Sequence, residues 1–550
     1  MPHNLFRRAG LGAMAIVASL ASCRTHTAPE PVDSPAAGDW PAYGRTVAGD
    51  RFSPLGQIDR SNVGRLREIC SYPLPEQAAM QTGPIVVNGT VYFTTDTISY
   101  AVDGATCRER WKVARHSAQP SRLLVHRGFA WMDGRLFRGT SDGHAIAIDT
   151  TDGHVVWDQA LDVRGPGISY PMAPIAADGF VYIGNAGGDN SGVTGHVFAL
   201  DARDGRVVWR FDVVPASGRA RTTWANTRVP PSGGAFWTSF TYDAEARVLY
   251  VPAGNPAPDF DIALRSGDNL YSNSVIALDA TTGRMLAYNQ LMKHDTHDWD
   301  VDAPPTLVTT RGGRRIIASA NKDALLSILD RSSVTRSSRA SASAGAMPPV
   351  IPLLSQTPVA TRFNERVPLS RDSLTRFCPG ITGGVEWNGA AYSPATNALY
   401  VGAVDRCARV RLRRDTTAIP EAGHAWFGAE DGAAGISGDP PDSSRGWISA
   451  IDAETGALRW KVEAHQPVLA GVTPTAGGVV FTADLGGRVY ALDADNGHVL
   501  WQTETGQAVG GGVVAYTANG QERIAIASGM RSPIWAGGTT QSRMIVYGLK

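Results

Sequence analysis

The chain carries no excess of charge: 51 lysines and arginines balance 51 aspartates and glutamates over 550 residues. A nucleic-acid or polyanion partner needs a basic excess, so that class is set aside. Cysteine is scarce, with five in all, and no Cys-x-x-Cys-His occurs, so the sequence offers no attachment point for a c-type haem. Thiols this scattered do not make a metal site. Long apolar runs are missing too. The best candidate, Leu11 to Leu20, is too short to span a bilayer comfortably. What the chain has in quantity is 60 glycines, 34 prolines and 14 tryptophans, the composition of a turn-rich β protein with large aromatics at regular places.

Residues 1–22 read as a targeting segment, with Arg7 and Arg8 ahead of the short apolar run. It closes on Leu20-Ala21-Ser22-Cys23, which resembles the bacterial lipobox. That resemblance implies acylation of Cys23, export to the periplasm and a lipid anchor in the outer or inner membrane. An ordinary secretory peptide with a chance cysteine is the plainer alternative. Residues 23–38, rich in Pro, Ala and Thr, read as a flexible tether, and residues 39–550 as one domain. Cys70, Cys107, Cys378 and Cys407 remain, an even number in an oxidising compartment. Three pairings are open, and the expected one is the sequence-local set, Cys70 with Cys107 and Cys378 with Cys407.

Self-similarity is the strongest signal. Ala101-Val-Asp-Gly-Ala-Thr-Cys-Arg-Glu-Arg-Trp111 recurs at Ala147–Trp157, Ala199–Trp209, Ala450–Trp460 and Ala491–Trp501. A copy at Ala277–Ala287 lacks the tryptophan, and Ser327-Ile-Leu-Asp-Arg begins another. Each copy reads as strand, tight turn with a glycine for positive φ, and strand ending on Trp. A further hairpin lies upstream, as in Pro84-Ile-Val-Val-Asn-Gly-Thr-Val-Tyr-Phe93. Two hairpins make a four-stranded sheet, which cannot bury both faces alone, so neighbours must stack on it. Dense turns and widely separated terminal copies favour a closed ring over a solenoid. Residues 331–376, Ser/Arg-rich and then Pro-rich, read as an insert on the surface, and Ala408 to Ser444 is irregular.

One stretch does not serve the repeats. Lys293-His-Asp-Thr-His-Asp-Trp-Asp-Val-Asp302 holds four carboxylates, two imidazoles and an indole, and Pro304-Pro305 follows. Regular structure gains little from such a run, and prolines end it. In isolation it is a solvated acidic turn; beside a repeat it reads as an active-site loop.

The repeats, the opening Asp39-Trp-Pro-Ala-Tyr-Gly-Arg45 and the stretch Gly254-Asn-Pro-Ala-Pro258 together resemble the quinoprotein alcohol dehydrogenases over residues 39–550. The resemblance implies an all-β, eight-bladed β-propeller with tryptophan-docking repeats, with pyrroloquinoline quinone (PQQ) and usually calcium on its axis. Trp237, within Phe236-Trp-Thr-Ser239, matches the tryptophan on which the quinone stacks, though a blade-packing indole is the plain reading. Asn255 and Asp189 match calcium ligands; either alone is an ordinary turn former. Asp300, after Trp299, aligns with the catalytic aspartate and a further metal ligand, with Asp298 the competing register. Lys322 matches the cation at the quinone oxygens and Arg127 the arginine that pairs with a PQQ carboxylate. Three departures stand out. Gln81 sits where the family has a glutamate, the adjacent cysteine pair of many members is missing, and Glu386-Trp387 replaces a common asparagine.

The implied activity is PQQ- and calcium-dependent oxidation of an alcohol or sugar-like substrate, with Asp300 as base and a separate cytochrome or quinone taking the electrons. Two other readings compete. One is a lipid-anchored scaffold similar to the outer-membrane β-barrel assembly lipoprotein, which shares the repeats. The other is a degenerate quinoprotein that binds PQQ as a sensor.

Overall fold

The computed structural model describes residues 35–115, 123–161, 165–226, 228–334, 347–535 and 541–550. The targeting segment, Cys23 and most of the tether lie outside these residues. Eight four-stranded antiparallel sheets follow one another along the described chain. Blades 1 to 7 span residues 85–114, 130–160, 175–212, 241–290, 306–358, 390–464 and 473–504. In blade 8, strands Val513–Ala518, Gln521–Ser528 and Arg543–Leu549 pair with each other, and Leu66–Pro73 adds the outermost strand. The last sheet is thus completed by the beginning of the domain, which closes a propeller. Among the described residues no helix is long and apolar enough to cross a membrane.

Each repeat is the third strand, turn and outer strand of one blade. The turn glycines Gly153, Gly205, Gly283, Gly456 and Gly497 sit at φ between 71° and 81°, and each donates its N–H to the repeat aspartate's carbonyl at 2.8–3.0 Å. In the first copy Cys107 takes that place, at φ 57°, with the same bond to Asp103. Across the turn the repeat alanine faces the repeat tryptophan: Ala101 pairs with Trp111, Ala147 with Trp157, Ala199 with Trp209, Ala450 with Trp460 and Ala491 with Trp501. A small residue leaves room for the indole beside it. A β-bulge follows immediately, between Ala147 and Ile148 for example, and adds local twist.

The indoles join blade to blade. Trp111, Trp157, Trp209 and Trp460 donate Nε1–H to the carbonyls of Thr150, Ala202, Ala280 and Ala494 in the next blade's turn, at 3.0, 3.0, 2.9 and 3.2 Å. A Cβ added to Gly153, Gly205, Gly283 or Gly497 would stand 2.5–2.8 Å from that same ring. So the turn glycine serves both the φ and the contact. The core is accordingly a series of slabs between neighbours rather than one centre. One slab packs Val91, Phe93 and Val102 of blade 1 on Val514, Tyr516 and Val546 of blade 8.

The segment 331–376 is not wholly an excursion: Leu353–Pro358 pairs with Leu325–Asp330 as the outer strand of blade 5. In the irregular region Thr375–Phe377, Ala408–Val410 and Ile436–Gly438 form a small three-stranded sheet of their own. Both disulfides join the sequence-local partners, Cys70 with Cys107 and Cys378 with Cys407. Cys70 lies in the strand that completes blade 8 and Cys107 in the turn of blade 1, so that bond crosses the closure.

Candidate active site

Antiparallel blades send the entrance of the first strand and the exit of the second to the same end. Gln81, Arg127, Trp237, Asp302 and Glu386 stand three or four residues before the first strands that begin at Ile85, Ala130, Thr241, Thr306 and Ala390. Asp189, Asn255 and Lys322 follow the second strands that end at Gly184, Ala253 and Ala320. Topology alone therefore gathers residues some 300 positions apart at one end of the ring.

The acidic loop is held from beneath. Asp295 accepts N–H bonds from His297 (2.9 Å) and Trp299 (3.1 Å), while Arg265 donates to the Asp295 carbonyl. The Trp299 indole donates to the Pro379 carbonyl at 3.0 Å, and Trp299 and Val301 are buried in the core between blades 4 and 5. Asp298, Asp300 and Asp302 instead lie close enough to Lys322 for each to act on its charge. His294 and Asp298 take positive φ, 51° and 61°, at the bends. The neighbouring imidazole of His297 stacks on Trp299 at 4.3 Å, and burial lowers its pKa to about 4, so it is neutral.

Lys322 is the centre of the constellation. Its Nζ lies 3.0 Å from Asp300 Oδ2 and 3.2 Å from Asp298 Oδ2, all three side chains being largely buried. The other oxygen of Asp300 accepts the N–H of Asn255 at 2.9 Å. Gly254 makes this approach possible, since a Cβ there would stand 2.5 Å from Asp300 Oδ1. Burial works against the charge on Lys322, but Asp298, Asp300, Glu386 and Asp302 hold its pKa well above the usual value.

Around this pair anionic groups outnumber cationic ones. Carboxylate oxygens of Asp189, Asp259 and Asp298 lie within 4.8 Å of one another. Asn255 Nδ2 donates to Asp259 Oδ1 at 3.1 Å, and Asp259 Oδ2 is buried without a hydrogen bond. Asp189 is the solvent-exposed member; protein packed around it, with Asp300 close by, raises it to about 6. Burial and then mutual repulsion push Asp259 well above the carboxylate range. Burial does the same to Asp298, with Lys322 opposing and Asp300 adding to the rise. Nearer Glu386, both oxygens of Asp302 are buried without hydrogen bonds, and its pKa is likewise raised well above normal. Burial carries Glu386 to about 7. The expected set of Asp189, Asn255 and Asp300 is thus brought together, with Asp259 and Asp298 closer to Asp189 than the sequence suggested. Asp259, four residues after Asn255 in a loop that doubles back, was the missed carboxylate.

Arg127 sits on the aromatic side. Its guanidinium lies 4.7 Å from the Trp237 ring and 5.0 Å from Trp387, and donates to the Trp237 carbonyl and to Gln81 Oε1, each at 3.0 Å. Burial lowers its pKa to about 10. Gln81 thus meets Arg127 as a neutral amide acceptor. Tyr43, from the opening motif, donates to the Trp387 carbonyl (3.2 Å) and Asn388 Oδ1 (3.0 Å) and closes the floor.

Residues 40–334 match the family described as glucose/ethanol/alcohol dehydrogenase, beta-propeller domain. The chain belongs to this family. Its class is that of the PQQ-dependent oxidoreductases. Residues 444–540 also match the family of outer membrane protein assembly factor BamB, over a much shorter span. The dehydrogenase subunit of the quinone alcohol dehydrogenase of Gluconacetobacter polyoxogenes is 29% identical over 93% of this chain and 76% of the relative. The quinohemoprotein alcohol dehydrogenase of Comamonas testosteroni superposes with a TM-score of 0.80 at 25% identity, covering 94% of this chain and 81% of that one. A europium-containing methanol dehydrogenase shares the fold, with a TM-score of 0.79 at 22% identity over 94% and 99% of the two chains.

The quinoprotein's own residues fit the family's cofactor. Arg127 is a buried cation whose Nε has no hydrogen-bond partner, and among the described residues no carboxylate reaches it within ion-pair distance. An anionic ligand would supply that partner. Trp237 is only half buried, so an indole face remains for a flat ring.

Proposed function

We propose that the protein oxidises a small alcohol or related hydroxylated compound outside the cytoplasm, using PQQ and a calcium ion. The observation that carries this is Asp300, a carboxylate fixed between Lys322 Nζ and the Asn255 N–H beside a cluster of uncompensated acids. Asp189, Asn255, Asp259, Asp298 and Asp300 supply hard oxygen donors suited to calcium, and the buried Asp259 oxygen without a hydrogen bond suits a cation as well. Trp237 and Arg127 would hold the flat, anionic quinone. When bound, PQQ accepts the two electrons and calcium acts as a Lewis acid.

The chain's residues supply the rest. Asp300 accepts the substrate's hydroxyl proton, since each oxygen has one hydrogen bond and a lone pair to spare. Lys322 steadies negative charge that develops beside it. The protein's buried walls exclude water from the reacting centre. Export and a lipid anchor through Cys23 complete the reading, with a separate cytochrome or quinone as electron acceptor. A scaffold would explain the lipobox and the repeats. It gives no reason to set Asp298, Asp300, Asp302 and Glu386 around one lysine inside the protein, an arrangement that costs folding energy until cations balance it.

The test is to mix purified protein with PQQ and calcium, then follow visible absorbance and dye-linked oxidation of alcohols. Binding and turnover that are lost to a calcium chelator support the reading. A protein that takes up no PQQ returns the scaffold. Cys23→Ser should move the protein from the membrane to the soluble periplasmic fraction; continued pelleting after a salt wash removes the anchor.

A further inference from the structure

We infer that a small planar electron acceptor docks in the cavity beside Trp535, and that Trp387 connects this cavity to Trp237. The inference deepens the dehydrogenase reading and rests on it. Three indoles from distant parts of the chain meet edge to face: Trp237 and Trp387 with centroids 6.5 Å apart at 66°, Trp387 and Trp535 at 6.1 Å and 78°. None of the three is a repeat tryptophan. Trp387 is fixed by its Nε1–H to the Gly510 carbonyl at 2.8 Å, and with Trp535 it is buried among Leu469, Ala508 and Met530. The aromatic contact is continuous from the half-buried Trp237 outwards.

At its far end lies a cavity of about 270 Å³, walled by Trp535, Leu485 and Pro467 and by Arg406, Arg488 and His465. Arg406, His465, Pro467, Leu485 and Trp535 follow strand exits, and Arg488 begins a strand, at the same end of the blades as the active site. An indole, a leucine and a proline suit the faces of a flat ring, and Arg406 and His465 suit oxygens at its edge, while Arg488 is paired with Glu504, also in the wall, at 2.8 Å. That combination describes a substituted benzoquinone. The balance is simple. Each alcohol oxidised leaves two electrons and two protons at the active site; a benzoquinone takes the two electrons through the ring contacts and two protons from solvent to become a hydroquinone, while the two protons from the alcohol return to solvent. The indoles serve as the conducting medium, and no bond to them forms or breaks.

The experiment has two arms. In the first, binding of 2,3-dimethoxy-5-methyl-benzoquinone to protein without PQQ is measured by calorimetry. Wild type should bind, and Trp535→Leu should bind roughly tenfold more weakly, the worth of one good ring contact. In the second, the holoprotein is reduced by alcohol without oxygen and then mixed with the benzoquinone. Trp535→Leu should slow reoxidation about tenfold or more and leave the rate of reduction by alcohol unchanged. If Trp535→Leu fails to fold, His465→Ala and Trp535→Phe replace it, with weaker binding and slower reoxidation expected from His465→Ala. Reoxidation unaffected by every variant overturns the inference. So does a slower reduction with a raised alcohol KM, which would make the cavity the substrate's. Wild type that alcohol never reduces defeats the dehydrogenase reading instead, and the calorimetry then decides the cavity alone.

Discussion

At the scale of single residues, the acidic loop holds two candidate bases two positions apart, and their surroundings separate them. Asp300 bonds Lys322 and the Asn255 N–H, whereas Asp298 shares Lys322 but faces Asp189 and Asp259. Asp300→Asn keeps the shape and removes the proton acceptor, so turnover should fall by roughly 10²–10⁴ while PQQ still binds. Asp298→Asn in excess calcium is the control; if it abolishes turnover and Asp300→Asn does not, the base is Asp298. A second prediction concerns a residue with no functional group. Gly254→Ala places a methyl 2.5 Å from Asp300 Oδ1 and must displace it. Turnover should drop by about 10²-fold, the effect of a misplacement near 1 Å, with little change in melting temperature. Equal losses of activity and fold would show that the glycine is merely structural. Trp237, Asp300 and Lys322 could be named as candidates because their motifs are local. Asp259 was not, because its place beside Asp189 depends on two blades meeting.

At the scale of the element, the repeat turn does three things at once: it reverses the chain, seats the preceding blade's indole and accepts its N–H. Trp157 is 9% exposed, bonds Ala202 and rests on Gly205. Trp157→Ala should cost about 3–5 kcal/mol, read as a lowered denaturation midpoint, because both the ring and its hydrogen bond are lost. Gly205→Ala meets a φ of 77° and the Trp157 ring at 2.7 Å, so it too should destabilise, whereas alanine at an open position such as Gly179 pays only for its φ of 80°. Similar midpoints for the two alanines would mean that the indole contact adds nothing. The turns announced themselves because Asp, Gly and Trp at fixed spacing are short-range chemistry. Blade 5 hid its outer strand, Leu353–Pro358, behind a long connection, and its pattern carries Ser355 beside Gly456 where other blades carry tryptophan.

At the scale of the whole molecule, the closure between blade 8 and the start of the domain is where the ring can open. Leu66–Pro73 pairs with Arg543–Leu549, Cys70–Cys107 ties that strand to blade 1, and Glu522 accepts the Ile58 N–H at 2.8 Å. Replacing both cysteines by serine should lower stability by about 2–4 kcal/mol, with most of the change in the unfolding rate. An unchanged unfolding rate would place the bond outside the opening step. Burial raises Glu522 to about 7 from 4.5. A folded pKa above the unfolded one gives stability that is complete below pH 4.5 and is lost as pH rises through 7. Wild type should therefore lose up to about 3 kcal/mol more than Glu522→Gln between pH 4.5 and 8, and parallel stability curves for the two would rule the effect out. By itself the sequence determined the all-β class, the blade unit, the docking tryptophans and the acidic loop, because each rests on residues a few positions apart whose conformations are set by sterics and local hydrogen bonds. Only the tertiary structure decided how the ring closes and which carboxylates converge, because those contacts join Asp189, Asp259 and Asp298, and Asp298 with Lys322, from separate blades, and packing, not spacing, sets that distance.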